Sequence, residues 1–193
     1  RDVLGSRGLG DVYKRQVLRA GNLKLRSGEA QAADEFSRTE GGFSRFNFDV
    51  NHVSKLSKVT QFYIFAHGQL ANRNLDSSEQ FYLGGADAVR AYPQGEAGGD
   101  SGYQATAELR YQTPVKGMSM TLFADVGEVL ARKDGDTSDP HRRLAGWGIG
   151  AVYSLDRSLY ARLDYARKIK GESYRSEAED KNGRLWFRLY KLF

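Results

Sequence analysis

The sequence contains no cysteine, three prolines, three histidines and two tryptophans in 193 residues. Without cysteine there is no disulfide, no thiolate nucleophile and no thiolate metal site. With so few prolines, little interrupts a backbone ladder. No stretch approaches the roughly 18 apolar residues that a membrane-spanning helix needs, and the mean hydropathy is −0.60. A helical membrane protein is thereby excluded. A membrane barrel is not, because its lumen-facing half is polar and lowers the average. His52, His67 and His141 lie on separate segments without ligand-like spacing, so no metal site is expected. The run Asp134-Gly135-Asp136-Thr137-Ser138-Asp139 begins like a calcium loop but lacks the distal Glu. No phosphate-binding glycine loop, nucleophile elbow or His-Glu-x-x-His occurs. The expectation is a protein that is not an enzyme and uses no cofactor. The net charge is +5, but Lys and Arg are scattered and form no basic run, so nucleic acid is not an expected partner.

What the chain has in quantity is glycine (22), tyrosine (11) and phenylalanine (10), arranged with period 2. Phe46, Phe48 and Val50 alternate with Arg45, Asn47, Asp49 and Asn51. Phe62, Ile64, Ala66 and Leu70 stand against Gln61, Tyr63, His67 and Gln69. Tyr103, Ala105, Ala107, Leu109 and Tyr111 oppose Gln104, Thr106, Glu108, Arg110 and Gln112. Met118, Met120, Leu122, Ala124 and Val126 alternate with Ser119, Thr121, Phe123 and Asp125. Trp147, Ile149, Ala151 and Tyr153 alternate with Gly146, Gly148 and Gly150. Leu159, Ala161, Leu163 and Tyr165 alternate with Tyr160, Arg162 and Asp164, and Leu185, Phe187 and Leu189 with Trp186, Arg188 and Tyr190. Period 2 means strands with two unlike faces. Weaker segments near residues 18–26 and 80–83 bring the count to about nine, mostly of the ~9–11 residues that cross a membrane at a tilt. The polar rows carry opposite charges two apart, Glu108 with Arg110 and Arg162 with Asp164. Short connections near 55–58, 113–117 and 155–158 alternate with long ones near 28–42, 72–79, 86–101, 133–143 and 171–181. Short turns at one end and long loops at the other suit an all-β, antiparallel transmembrane barrel. A soluble β-sandwich would also alternate, but with more uniform loops.

Residues 6–16, Ser-Arg-Gly-Leu-Gly-Asp-Val-Tyr-Lys-Arg-Gln, resemble the translation of a transposon sequencing adapter, codon by codon. Residues 1–16 are accordingly set aside from fold reasoning, and the native protein is expected to begin near Val17. No signal peptide opens the chain, which fits a fragment whose upstream part is missing.

Identity rests on one run. Leu75 to Gln80, Phe81-Tyr-Leu-Gly-Gly-Ala86 and Ala88-Val89-Arg90-Ala91-Tyr92-Pro93 lead through Gly95-Glu96-Ala97-Gly98-Gly99-Asp100 into the strand Tyr103 to Tyr111. This run resembles the two-partner secretion transporters of the outer membrane, of hemolysin-activator and filamentous-hemagglutinin transporter type. The wider superfamily carries Val-Arg-Gly-Tyr on a long loop. Here Ala91 replaces the glycine, while Pro93 and the Gly-Glu…Gly-Asp segment match the secretion branch. A second matching motif is Phe123-Ala124-Asp125-Val126-Gly127, and a third is Leu144 to Gly150.

The resemblance implies a sixteen-stranded barrel of which residues 17–193 hold about the last nine strands, with an inserted loop at about 84–101. It implies that this loop folds back into the lumen and that Arg90 pairs with Asp125 as a latch, with Val89, Tyr92, Phe123 and Gly127 in support. It implies export of a partner exoprotein, a hemolysin or adhesin, across the outer membrane of a Gram-negative bacterium. Lipid bilayer, lipopolysaccharide and the barrel-assembly machinery are the further partners. That machinery would read the terminal strand through Phe187, Leu189 and Phe193. The rivals are a barrel-assembly protein of the same superfamily and an unrelated outer-membrane barrel enzyme. Gly146, Gly148 and Gly150 fall on one inward row, leaving either a groove for an inserted segment or room for barrel curvature. Nine strands is odd, whereas single-chain bacterial barrels close with an even number. An open, curved sheet is expected, with residues 1–16 poorly packed against it.

Overall fold

The computed structural model describes residues 11–131, 141–155, 158–169 and 182–191. Strands β1 (Asp11–Leu23), β2 (Gly41–Lys55) and β3 (Thr60–Ala71) precede two three-residue strands, β4 (Phe81–Leu83) and β5 (Ala97–Gly99). Strands β6 (Ser101–Gln112), β7 (Met118–Leu130), β8 (His141–Leu155), β9 (Leu159–Lys168) and β10 (Gly183–Lys191) follow. Eight of these form one antiparallel sheet in the order β1-β2-β3-β6-β7-β8-β9-β10. The remaining two pair with each other. The segment at 80–83, expected as a ninth barrel strand, is therefore β4. It is too short to cross anything and belongs to the stem of a loop.

Two other expectations are corrected. The weak segment at 18–26 is the far end of β1, which starts at Asp11 and pairs with β2 from Asp11↔Val53 onward. Residues 11–16 are thus not detached from the sheet, because a backbone ladder accepts almost any side chain. Their side chains are nevertheless all exposed. The interval 28–42, read as a polar loop, contains the helix α1 (Gly28–Ser37). Its N-cap Ser27 accepts from the Ala30 N–H at 3.2 Å. At its other end Arg38 turns left-handed at φ 53°, and the Asp34 carboxylate accepts from the Thr39 N–H at 2.7 Å, the Thr39 hydroxyl at 2.6 Å and the Glu40 N–H at 3.0 Å. These hydrogen bonds, those from Thr39 foremost, hold the Asp34 carboxyl well below the usual carboxylate range.

Short connections are tight turns. Ser57 Oγ accepts from the N–H groups of Val59 and Thr60, and Gly117 at φ 78° closes the turn into β7. In the sheet the apolar row faces out and the polar row faces in. Leu122 is 53% exposed and Phe187 65%, whereas Asp125 is 1% exposed and Asp164 0%. Such burial is inverted relative to a water-soluble sheet and suits hydrocarbon outside. Among the described residues β1 and β10 are the two edges. Both turn toward the same loop residue: Arg188 of β10 makes an ion pair with Asp87, and Asp87 lines one cavity with Arg19 of β1.

An arginine in place of Leu122, near the middle of β7's outward row, should cost about 2–4 kcal/mol of folding free energy, and in place of Met118 at the strand's end about 0–1 kcal/mol. Reversible urea unfolding of the full-length protein in liposomes measures both. Equal penalties would mean the row does not face lipid.

Candidate functional site: a loop seated on the lumen wall

The seat is built from the residues flanking the loop. β4 and β5 pair through Phe81↔Gly99, Tyr82↔Gly98 and Leu83↔Ala97, making a stem for residues 84–96. Gly84 (φ 89°) and Gly85 (φ 107°) turn the chain at the stem's end, a backbone region that favours glycine. The loop then crosses over itself through Gly85 N–H to the Tyr92 carbonyl, 3.1 Å, and Tyr92 N–H to the Val89 carbonyl, 3.1 Å. Buried Asp100 roots the stem: its carboxylate accepts from the Leu75 N–H at 3.0 Å and from Gln80 Nε2 at 3.2 Å. Gln69 of β3 donates to the carbonyls of Glu79 and Asp100 at 2.9 and 3.1 Å.

The tip carries Arg90, buried, and Asp125 of β7 lies against it. Arg90 Nε donates to Asp125 Oδ2 at 2.9 Å and Nη2 to Oδ1 at 2.7 Å, a bidentate fork. The Arg90 N–H donates to the same carboxylate at 3.1 Å, and the Thr106 hydroxyl at 2.9 Å. The guanidinium carbon sits 3.3 Å over the Phe123 ring centroid, adding cation–π attraction in a site with little water. Arg90 Nη1 also donates to Glu108 Oε1 at 2.8 Å and lies 3.8 Å from Asp164 Oδ1.

Around this pair the polar rows form a network that sequence reading only half anticipated. The two-apart pairs are present: Arg110 Nε donates to Glu108 at 2.8 Å and Arg162 Nε to Asp164 at 2.7 Å. Their convergence on Arg90 is new, with Arg162 Nη2 also reaching Glu108 at 3.0 Å and Arg188 reaching Asp164 at 3.3 Å. Trp186 of β10 donates its indole N–H to the Arg90 carbonyl at 2.7 Å. Within this cluster the wall supplies Glu108, Asp125 and Asp164 against Arg110, Arg162 and Arg188. The loop adds one charge of each sign, Arg90 and Asp87. Among the described residues Arg90 is the one cation within ion-pair distance of Asp125.

Apolar contact completes the seat. Phe81, Leu83, Val89, Ala91, Tyr92, Ala97, Phe123, Val129, Leu144 and Ala166 form one buried cluster, on the inward side of the sheet. Tyr92 has Lys168 Nζ 4.9 Å from its ring centroid. The three inward glycines of β8 each leave room for something different. A Cβ at Gly146 would meet the Ala91 methyl at 2.6 Å, one at Gly148 would meet the Phe123 ring at 2.5 Å, and one at Gly150 would strike the Asp164 carboxylate. A Cβ at Gly127 would meet Leu83 at 2.7 Å. Of the terminal-strand residues, Phe187 and Leu189 are exposed on the outer row, while Phe193 lies outside the described residues. So does the calcium-like run at 134–139; among the described residues no cluster suited to a metal ion occurs. His67 pairs with Asp49 at 2.6 Å and His141 with Glu128 at 2.7 Å, while His52 hydrogen-bonds Ser54.

Comparison with known proteins gives a match over residues 13–153 to the haemolysin secretion/activation proteins ShlB/FhaC/HecB. Heme/hemopexin transporter proteins HuxB of Haemophilus influenzae are 32% identical over 111 residues, 55% of this chain and 20% of theirs. CdiB from Acinetobacter baumannii superposes with a TM-score of 0.55 over 78% of this chain and 33% of its own, at 20% identity, a likeness of fold. The chain thus spans about a fifth of the HuxB length.

Arg90→Ala should destabilise the folded protein by about 3–5 kcal/mol, since it leaves Asp125 buried without a cation. Asp125→Ala should cost less, because Glu108 still holds Arg90. The double variant should fall well short of the sum, and Arg90→Lys should not restore the fork. Denaturant unfolding of the four variants tests this; additive losses would show that the two side chains act separately.

Proposed function

Since the chain belongs to the ShlB/FhaC/HecB family of haemolysin secretion and activation proteins, we propose that it forms the C-terminal part of a Gram-negative outer-membrane pore that exports a partner exoprotein. The observation that carries this reading is the seated loop. A sheet with an apolar outside and a polar inside holds, against that inside, a segment fastened only by non-covalent contacts. The Arg90–Asp125 fork, the Trp186 bond to the Arg90 carbonyl and the Ala91–Gly146 contact are all separable without breaking the barrel. A lumen with a removable insert suits a conduit that must pass a chain and otherwise stay narrow. Arg90 and Asp125 are then the latch, with Val89, Tyr92, Phe123 and Gly127 shaping its bed.

HuxB is named a transporter, which supports a transport role over barrel assembly. No nucleotide site is part of the proposal; folding of the partner on the outer side supplies the direction. The partner is an unfolded hemolysin- or adhesin-type polypeptide. The bilayer and lipopolysaccharide surround the outward rows. The barrel-assembly machinery recognises the last strand through Phe187, Leu189 and Phe193.

The full-length protein should fractionate with the outer membrane and migrate differently in electrophoresis before and after boiling. Arg90→Ala should cut secretion of the partner while the heat-modifiable band persists. Recovery of the protein in the soluble periplasm would overturn the reading.

Phe193→Ala should lower the amount of assembled barrel several-fold and leave secretion per assembled molecule unchanged. Quantitative surface labelling checks it, and undiminished surface levels would rule Phe193 out of recognition.

A further inference from the structure

We infer that the last strand, β10, is a second fastening of the loop, made by Trp186 and Arg188, and that its Arg188–Asp87 half makes release of the loop sensitive to salt. This fastening presupposes the loop as a removable insert and adds how the insert is loosened.

Side chains alternate along β10, so Trp186 and Arg188 are neighbours on its inward row, about 7 Å apart. Trp186 donates its indole N–H to the Arg90 carbonyl at 2.7 Å. Arg188 pairs with the Asp87 carboxylate through Nη1 and reaches Asp164 of β9 at 3.3 Å through Nη2. Asp87 and Arg90 belong to one folded tip, in which the Ala88 N–H donates to the Gly85 carbonyl at 3.2 Å and the Tyr92 N–H to the Val89 carbonyl at 3.1 Å. Two points on this tip thus meet two successive inward residues of β10. On its other side the tip is held by β6, where Gln104 Nε2 donates to the Asp87 carbonyl at 3.2 Å, and by the fork on β7. It spans the wall from β6 to β10, the two ends of a run of five neighbouring strands.

The fastenings differ in kind. The side chains of the Arg90–Asp125 fork are 4% and 1% exposed, so dissolved salt screens their attraction little. In the β10 pair the Asp87 side chain is 84% exposed and that of Arg188 21%. An ion pair so open to water is weak and fades as ionic strength rises. The Trp186 bond joins an uncharged donor to a backbone carbonyl and does not share that sensitivity. When Asp87 leaves, its carboxylate returns to water and Arg188 still has Asp164, so neither charge is stranded. Breaking the fork, by contrast, leaves the buried Asp125 carboxylate without its cation. The exposed pair therefore yields first and the fork last.

Val89→Cys serves as the reporter, because Val89 is fully buried on the loop and this chain has no cysteine of its own. Any cysteine elsewhere in the full-length protein would be changed to serine. In liposomes, with a small water-soluble maleimide in excess, the thiol reacts at a rate set by how often the loop unseats. Between about 0.1 M and about 1 M salt that rate should rise about two- to five-fold. Asp87→Asn should react at the faster rate already in the lower salt and rise no further. Trp186→Phe, which keeps a ring and removes the donor, should react at least five-fold faster than the parent at both. Tyr190→Phe, on the same row of β10 but set against Tyr160, should match the parent. A parent rate indifferent to salt, an Asp87→Asn variant with the parent's salt dependence, or a Trp186→Phe variant no faster than Tyr190→Phe overturns the β10 fastening. Should Trp186→Phe lose its heat-modifiable migration, Asp87→Asn, a change at an exposed side chain, still decides the matter. A reporter that reacts in the parent as fast as in denatured protein overturns the seated insert itself.

Discussion

A guanidinium buried inside a membrane-type sheet is the constraint around which the described interior is arranged. Removing the Arg90 charge from water is costly unless it is paired and fully hydrogen-bonded. The Asp125 fork, Glu108, the Phe123 ring and a backbone N–H together meet that requirement. A buried ion pair adds little net stability over an apolar substitute, but it tolerates only one placement. The pair therefore defines where the loop sits, and the apolar cluster of Val89, Ala91, Tyr92, Leu83, Leu144 and Ala166 supplies the cohesion.

That division explains the glycines. A row of glycine in β8 weakens the strand and leaves bare backbone facing inward. Gly146 accommodates the loop, through Ala91. Gly148 and Gly150 accommodate neighbours that position Arg90, namely the Phe123 ring beneath the guanidinium and the Asp164 carboxylate beside it. Both explanations for the glycine row, an inserted segment or curvature, concern close approach. The Ala91 contact at Gly146 belongs to the first, and the Arg167 carbonyl there and the Tyr165 carbonyl against Gly148 belong to close approach of β9.

The charges of the lumen wall also follow from the insert. Besides Arg90, Glu108 and Asp164 have arginines of the wall itself beside them, Arg110, Arg162 and Arg188. Asp125 alone depends on Arg90 within this cluster. Withdrawal of the loop would therefore concentrate its electrostatic cost on a single carboxylate and leave the rest of the wall paired.

The sequence by itself determined which residues face in and which face out, since side-chain alternation along a strand is local and survives any arrangement of neighbours. It also carried the Val-Arg-x-Tyr and Phe-x-Asp motifs, so Arg90 and Asp125 were legible as a pair through resemblance to a family. It did not reveal that Phe81–Leu83 belongs to a loop stem, because three alternating residues look the same in either setting. The helix at Gly28–Ser37 was likewise hidden in a polar interval, its ends set by Ser27 and Asp34 side chains. The partners that complete the Arg90 site lie 18, 35 and 96 residues away, at Glu108, Asp125 and Trp186. Only strand register and the fold-back of the loop bring them together. Period-2 patterns record a residue's face but not its neighbour across the sheet, so the site's network, its glycine clearances and the cavities beside the loop were decided by tertiary structure alone.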